Sequence, residues 1–138
     1  MLELILKYIF TGEKMNSKKL ESRVNVCAAK ILNEKGYVSP IDLLLEMDRI
    51  TPKQVEEWRL KKILYLERVT IGNLSKMQTI LKLLQRFATE RNLKPSHTVY
   101  KSWGKGRKIT LRFFKTGNPH IEKEYSTHYV LQRKYKEK

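Results

Sequence analysis

The sequence predicts a single α+β domain, helical to about residue 92 and closed by a small antiparallel β unit. Size is the first observation: 138 residues, 41% of them hydrophobic, fill one ordinary domain around one core. The second is that apolar residues recur at helical spacing between Leu20 and Ala88, in segments that open on capping residues. The third lies beyond Lys94-Pro95-Ser96, where the chain turns to β-branched and aromatic residues around a glycine-containing turn. The domain is drawn over residues 15–131, between an extension at 1–14 and a basic tail at 132–138.

Thr11-Gly12-Glu13-Lys14-Met15 back-translates to a purine-rich stretch ahead of an ATG, as at a bacterial ribosome-binding site, which makes Met15 a candidate natural start. The competing expectation is a short amphipathic helix with Leu2, Ile5, Leu6 and Ile9 on one face. From Asn16 or Ser17 as cap, Leu20, Val24, Cys27, Ala28, Ile31 and Leu32 define a helix that ends at Gly36. Ser39-Pro40-Ile41-Asp42 then combines a hydroxyl cap, a proline at the first helical position and an acid three residues after the cap, opening a short helix to about Met47. Thr51-Pro52-Lys53-Gln54 repeats the signal and opens a helix that turns Val55 and Trp58 inward. Residues 63–71 are apolar without a period and fit extended chain or another helical turn. Asn73 caps the strongest helix, where Leu74, Met77, Ile80, Leu81, Leu84, Phe87 and Ala88 form a wide stripe lasting to about Arg91. Thr98–Trp103 and Lys108–Lys115, joined by Gly104-Lys105-Gly106-Arg107, read as a β-hairpin. Thr116-Gly117-Asn118-Pro119 is a turn, and residues 120–130 fit a short helix or a third strand.

Charge supplies the functional signal. The formal net charge is +15, with 29 Lys and Arg against 14 Asp and Glu and a pI near 10.0, more than solubility needs. Between Arg91 and Lys138, thirteen Lys and Arg face three Glu, so this segment alone carries +10. Tyr100, Trp103, Phe113, Phe114, Tyr125, Tyr129 and Tyr135 are interspersed there. Cations attract phosphates and rings stack on bases, so the expected partner is nucleic acid, duplex DNA first and RNA as the alternative. An acidic protein or an anionic membrane surface is the competing class of partner. The lone Cys27 has no second cysteine to pair with and no companions at zinc-ligand spacing, which fits a reducing cytoplasm and a chain without a structural metal or cofactor. The apolar run 2–10 is too short to span a bilayer and holds Glu3 and Lys7, so no membrane insertion is expected.

Residues 39–71 resemble the helix-turn-helix of excisionase-like and MerR-like DNA-binding domains, with the helix pair itself at 39–62. Leu44, Leu45, the Ile50-Thr51 turn, Val55, Trp58-Arg59, Lys61-Lys62 and Tyr65-Leu66 carry the likeness. The turn lacks the common glycine, and none follows the second helix where a wing would begin. The resemblance implies a second helix in the major groove, with Lys53 and Gln54 facing base edges and Arg59, Lys61 and Lys62 on phosphates. The competing reading is an orthogonal helix pair with Trp58 in the core. A longer stretch is also similar to a group of small uncharacterised bacterial proteins, which implies a bacterial source and one continuous domain. Its residues are Gly36, Lys94-Pro95-Ser96, Trp103-Gly104-Lys105-Gly106, Leu111-Arg112-Phe113 and Thr127-His128-Tyr129.

The hairpin tip adds Lys105, Arg107 and Lys108 as phosphate contacts, Trp103 as a stacking residue and Arg112 on the return strand. It is no P-loop, since GxxxxGK[ST] is absent and a strand follows instead of a helix. The enzyme alternative is a metal-independent ribonuclease using His97, His120 or His128, with tyrosines and cations nearby. Glu122 and Glu124 face together only on a strand, and a third metal ligand is missing from the sequence around them. Catalysis is the weaker of the two expectations.

Overall fold

A computed structural model describes residues 12–132, with side chains from Lys18 onward. The expected extension and basic tail fall largely on residues 1–11 and 133–138, outside the described residues. In chain order the elements are α1 (Gly12–Lys35), β1 (Tyr37–Val38), α2 (Pro40–Glu46), α3 (Pro52–Arg59), a 3-10 turn (Leu66–Arg68), α4 (Leu74–Glu90), β2 (Lys94–His97), α5 (Pro119–Tyr125) and β3 (Thr127–Val130). The predicted α+β class is observed, helices first and a small antiparallel sheet closing them.

α1 starts earlier than expected. It runs without a break through Asn16 and Ser17, because no proline stands between Gly12 and Lys35 and mid-helix Asn and Ser cost only a few tenths of a kcal/mol, roughly. Leu20, Val24, Ala28 and Ile31 form its buried face, packed against Met77, Ile80, Leu81, Leu84, Phe87 and Ala88 of α4 and against α2. The other three long signals were read correctly. Ser39 Oγ accepts the Asp42 N–H at 3.1 Å, Thr51 and Gln54 close a reciprocal capping box, and Asn73 Oδ1 accepts the Lys76 N–H at 2.8 Å.

Three helices close on a left-handed residue other than glycine. Asp48, Lys61 and Asn92 occupy the left-handed region at φ 58°, 66° and 53° after α2, α3 and α4. Each helix closes with the two hydrogen bonds of a Schellman cap, the outer one running from Arg49 N–H to Leu44 O at 2.8 Å, Lys62 N–H to Glu57 O at 2.8 Å and Leu93 N–H to Ala88 O at 3.0 Å. The connection from α2 to α3 is thus Met47–Thr51, longer than the Ile50-Thr51 turn read from the sequence, with Ile50 buried beneath it.

The regular sheet is not the expected hairpin. Its order is β1-β3-β2, both pairs antiparallel, with Val38 opposite Tyr129 and Pro95 opposite Tyr129 on the other side. Lys94-Pro95-Ser96, read as a boundary, forms the edge strand β2, where a proline removes no needed ladder bond. Residues 120–130 divide between both alternatives: Asn118 caps α5 through the His120 and Ile121 N–H groups, and β3 follows. Residues 98–115 form an irregular arm with a single antiparallel bridge, Lys101 opposite Thr110. Two backbone bonds of the expected hairpin flank it, Ser102 N–H to Ile109 O at 2.9 Å and Leu111 N–H to Tyr100 O at 2.8 Å, and beyond them side chains take over, Ser102 Oγ accepting the Ile109 N–H at 3.0 Å and Glu122 those of Phe113 and Phe114. The return limb pairs on its far side with the segment after α3: Leu66 N–H reaches Arg112 O at 3.3 Å and Glu67 N–H reaches Phe113 O at 2.8 Å. The apolar stretch after α3 is therefore extended at Tyr65 and 3-10 at Leu66–Arg68. Among the described residues no helix is long and apolar enough to cross a membrane.

Candidate nucleic-acid interface

Trp58 is fully buried, and it ties α3 to the arm. Its indole N–H donates to Arg112 O at 2.8 Å, and its ring lies 5.1 Å from Phe113 and 5.7 Å from Tyr100. A Trp whose polar atom reaches a carbonyl stabilises a core with its whole ring area. One residue on, Arg59 is held between two rings, its guanidinium 4.7 Å from the Tyr100 centroid and 5.0 Å from that of Trp103. It donates to Lys101 O at 2.8 Å, while its own carbonyl accepts the Trp103 N–H at 2.7 Å. Burial pulls the guanidinium pKa down from its ordinary value. Arg59, expected on a phosphate, is here the dowel between α3 and the arm.

The remaining cations gather around this joint. Lys61 and Lys62 leave α3 exposed, and a β-carbon at Gly104 would sit 4.0 Å from Leu60. Gly104 and Gly106, both at φ 94°, turn the tip that carries Lys105, Arg107 and Lys108, all exposed, and nothing approaches within 4 Å of a β-carbon built at Gly106. Lys108 Nζ donates to Gly104 O at 2.5 Å, closing the tip. Lys61 and Arg112 line an open groove of about 290 Å³ together with Ile63, Leu64, Ile109 and Leu111. The Arg112 guanidinium lies 5.9 Å from the Tyr65 ring. Trp103 keeps 50% of its surface exposed, and Leu64 and Ile109 keep 67% and 46%.

Lys53 and Gln54 stand apart, about 9 Å up the helix axis from Arg59. Lys53 is exposed, whereas the Gln54 carboxamide oxygen is occupied by the Thr51 N–H at 3.0 Å. Glu56 is exposed on the same helix. Of the ten expected residues, the structure brings together Arg59, Lys61, Lys62, Trp103, Lys105, Arg107, Lys108 and Arg112, and leaves Lys53 and Gln54 at the other end of α3. Among the described residues none of the ten forms an ion pair; the acids pair with Arg23, Lys30, Lys35, Arg86 and His120.

The histidines do not converge. His97 ends β2 in solvent, His120 pairs with Glu124 at 2.7 Å, and His128 Nε2 lies 2.7 Å from the Tyr100 hydroxyl while its ring stacks on Tyr37 at 5.5 Å. Burial first lowers the His128 pKa, Asp42 opposes and Lys35 adds. Tyr100 is pushed up to about 12, again by burial first. His97, Glu122, Lys123 and Arg112 line a cleft of about 440 Å³ between the arm and α5. Glu122 is spent structurally, accepting the Phe113 N–H at 2.7 Å and the Phe114 N–H at 2.9 Å, and burial raises its carboxyl against the pull of those donors.

Sequence reasoning missed Tyr65, Leu64 and Ile109 as neighbours of the cations, and Tyr100 as the inner wall of the Arg59 stack. No local spacing announces these contacts, which join segments more than thirty residues apart. Searches against protein-family models, curated proteins and solved structures find no match to the chain.

Proposed function

We propose that the protein binds nucleic acid through the face formed by the exit of α3 and the tip of the arm, and acts as a small DNA-binding regulator with duplex DNA as its first ligand. The observation that carries this reading is the joint at Arg59. By clamping Trp103 against the end of α3, it gathers Lys61, Lys62, Lys105, Arg107, Lys108 and Arg112 on one surface with no acid paired to them. Such a surface attracts phosphates at long range and releases counterions on contact. The arm meets the end of α3, its Trp103 N–H on Arg59 O, and would serve in place of the wing of a helix-turn-helix, though its residues come from much later in the chain. Lys53 and the free amide nitrogen of Gln54 are then the groups left for base edges. A reducing cytoplasm suits the single half-buried thiol of Cys27.

The test is an electrophoretic shift series with duplex DNA, single-stranded DNA and RNA between about 50 and 200 mM salt. With roughly five phosphates neutralised, log affinity for the duplex falls with log salt at a slope of about −4 to −5, and changing Lys105, Arg107 and Lys108 together to Ala flattens it by up to about three. Affinity that ignores salt, or no binding at the lowest salt, refutes the reading.

A further inference from the structure

Trp103 is unusual among the aromatic residues of the basic face. Tyr100 and Phe113 are buried, and Trp58 is buried and hydrogen-bonded, so their rings belong to the core. Trp103 is half exposed in spite of being held from two directions, by its backbone N–H on Arg59 O and by the Arg59 guanidinium over its ring. Arg59 is in turn backed by Tyr100, so the order Tyr100, Arg59, Trp103 is a three-layer stack whose outermost member ends in solvent. An exposed indole normally costs free energy by ordering water. Here the backbone hydrogen bond holds the main chain and the Arg59 guanidinium holds one face of the ring, so the ring is presented ready-made.

The groups around it decide what such a ring can receive. Lys101, Lys105, Arg107 and Lys108 are its exposed neighbours along the arm, and the described residues offer no carboxylate paired with them. A flat apolar acceptor in a field of cations complements a flat aromatic group attached to phosphate. A base inside a duplex presents only its edge, because both its faces are covered by neighbouring base pairs. We infer that the outer face of Trp103 stacks on an unpaired nucleobase, so that duplex DNA is bound best where it ends in or opens into single-stranded nucleotides.

This inference rests on the nucleic-acid reading, and the experiment separates the two. Fluorescence anisotropy is measured with a labelled oligothymidylate and with an abasic oligomer of equal length and phosphate count, both at low salt. Stacking of one base gives the oligothymidylate an affinity about 5- to 150-fold higher, accompanied by quenching of Trp103 emission. Trp103→Ala brings the ratio close to one, and Trp103→Phe retains most of it. Trp58 remains in both variants as a reporter of the intact core. Equal affinity of the wild-type protein for the two oligomers overturns the stacking inference and leaves phosphate binding standing. Failure to bind either oligomer while a duplex of equal phosphate count is bound at low salt overturns the stacking inference alone, and failure to bind any of the three overturns the nucleic-acid reading with it.

Discussion

Lys61 stands where a glycine would be more stable, which allows binding and stability to be separated at one position. At φ 66° its β-carbon crowds the backbone, at a cost of about 1 to 2 kcal/mol relative to glycine. Glycine returns roughly 0.5 to 1 kcal/mol of this through the greater freedom of the unfolded chain, and loss of a cation at the end of α3 forfeits about 0.3 kcal/mol of interaction with the helix dipole. Lys61→Gly is therefore expected to be stabilised by about 0.5 kcal/mol. Lys61→Ala, which keeps the strain and loses the charge, is expected to be destabilised by about 0.3 kcal/mol. The gap between the two variants, near 1 kcal/mol, corresponds to about 3 to 5 °C in melting temperature for a domain of this size. Urea unfolding followed by circular dichroism measures it, and salt titrations of duplex binding measure the other half. Both variants should lose about 0.9 from the salt slope, one phosphate each. A glycine variant less stable than the alanine variant would refute the left-handed cap. Wild-type slopes in both would refute a phosphate role for Lys61 and leave its strained position without a functional reason.

Two further outcomes follow from polar groups in the core. Glu122→Ala leaves the Phe113 and Phe114 N–H groups without their carboxylate, and at about 1.5 kcal/mol per bond, the low end because the group is half exposed, stability should fall by about 3 kcal/mol or roughly 10 °C; a drop under about 2 °C would show that the clamp contributes nothing. His128 has a folded pKa below its unfolded one, so the unfolded chain binds the proton more readily and stability falls as pH drops through and below about 6.5, levelling under the folded value; melting curves between about pH 7.5 and 5.5 should fall more steeply for the wild type than for His128→Gln, and the opposite order contradicts a lowered pKa for this half-buried ring.

What could be read from the chain was what its neighbours in sequence decide. Ser39, Thr51 and Asn73 announce helices because each cap satisfies N–H groups within three residues, and the α4 stripe needs only its own period. The cations at the arm tip were legible as well, since charge and glycine spacing are local. The sheet was not: β1 is two residues long, β2 contains a proline, and both exist because β3 lies between them. Nor could the role of Arg59 be read, because a basic residue at the end of a helix looks the same whether it faces phosphate or two rings. Trp58 gave a clearer signal, as the only large ring on the inward face of α3, and its packing in the core agrees with the competing reading of the helix pair. That burial leaves the DNA reading to rest on the residues around it.

The sheet order also governs the sequence of events as the chain is made. β1 and β2 pair with β3 alone, and β3 is synthesised after both. On a translating ribosome, α1, α2, α3 and α4 can collapse early, since the packing of α1 on α2 and α4 needs nothing beyond Glu90, while two strand edges stay open until Thr127–Val130 emerges. Trp58 likewise waits for Arg112 to supply the acceptor of its indole N–H. The arm hangs between the last two structural events, the arrival of α5 with Glu122 and the insertion of β3. A nascent or C-terminally shortened chain is therefore a helical body trailing an unassembled and strongly basic segment, close to the most abundant polyphosphate in the cell, the ribosomal RNA itself.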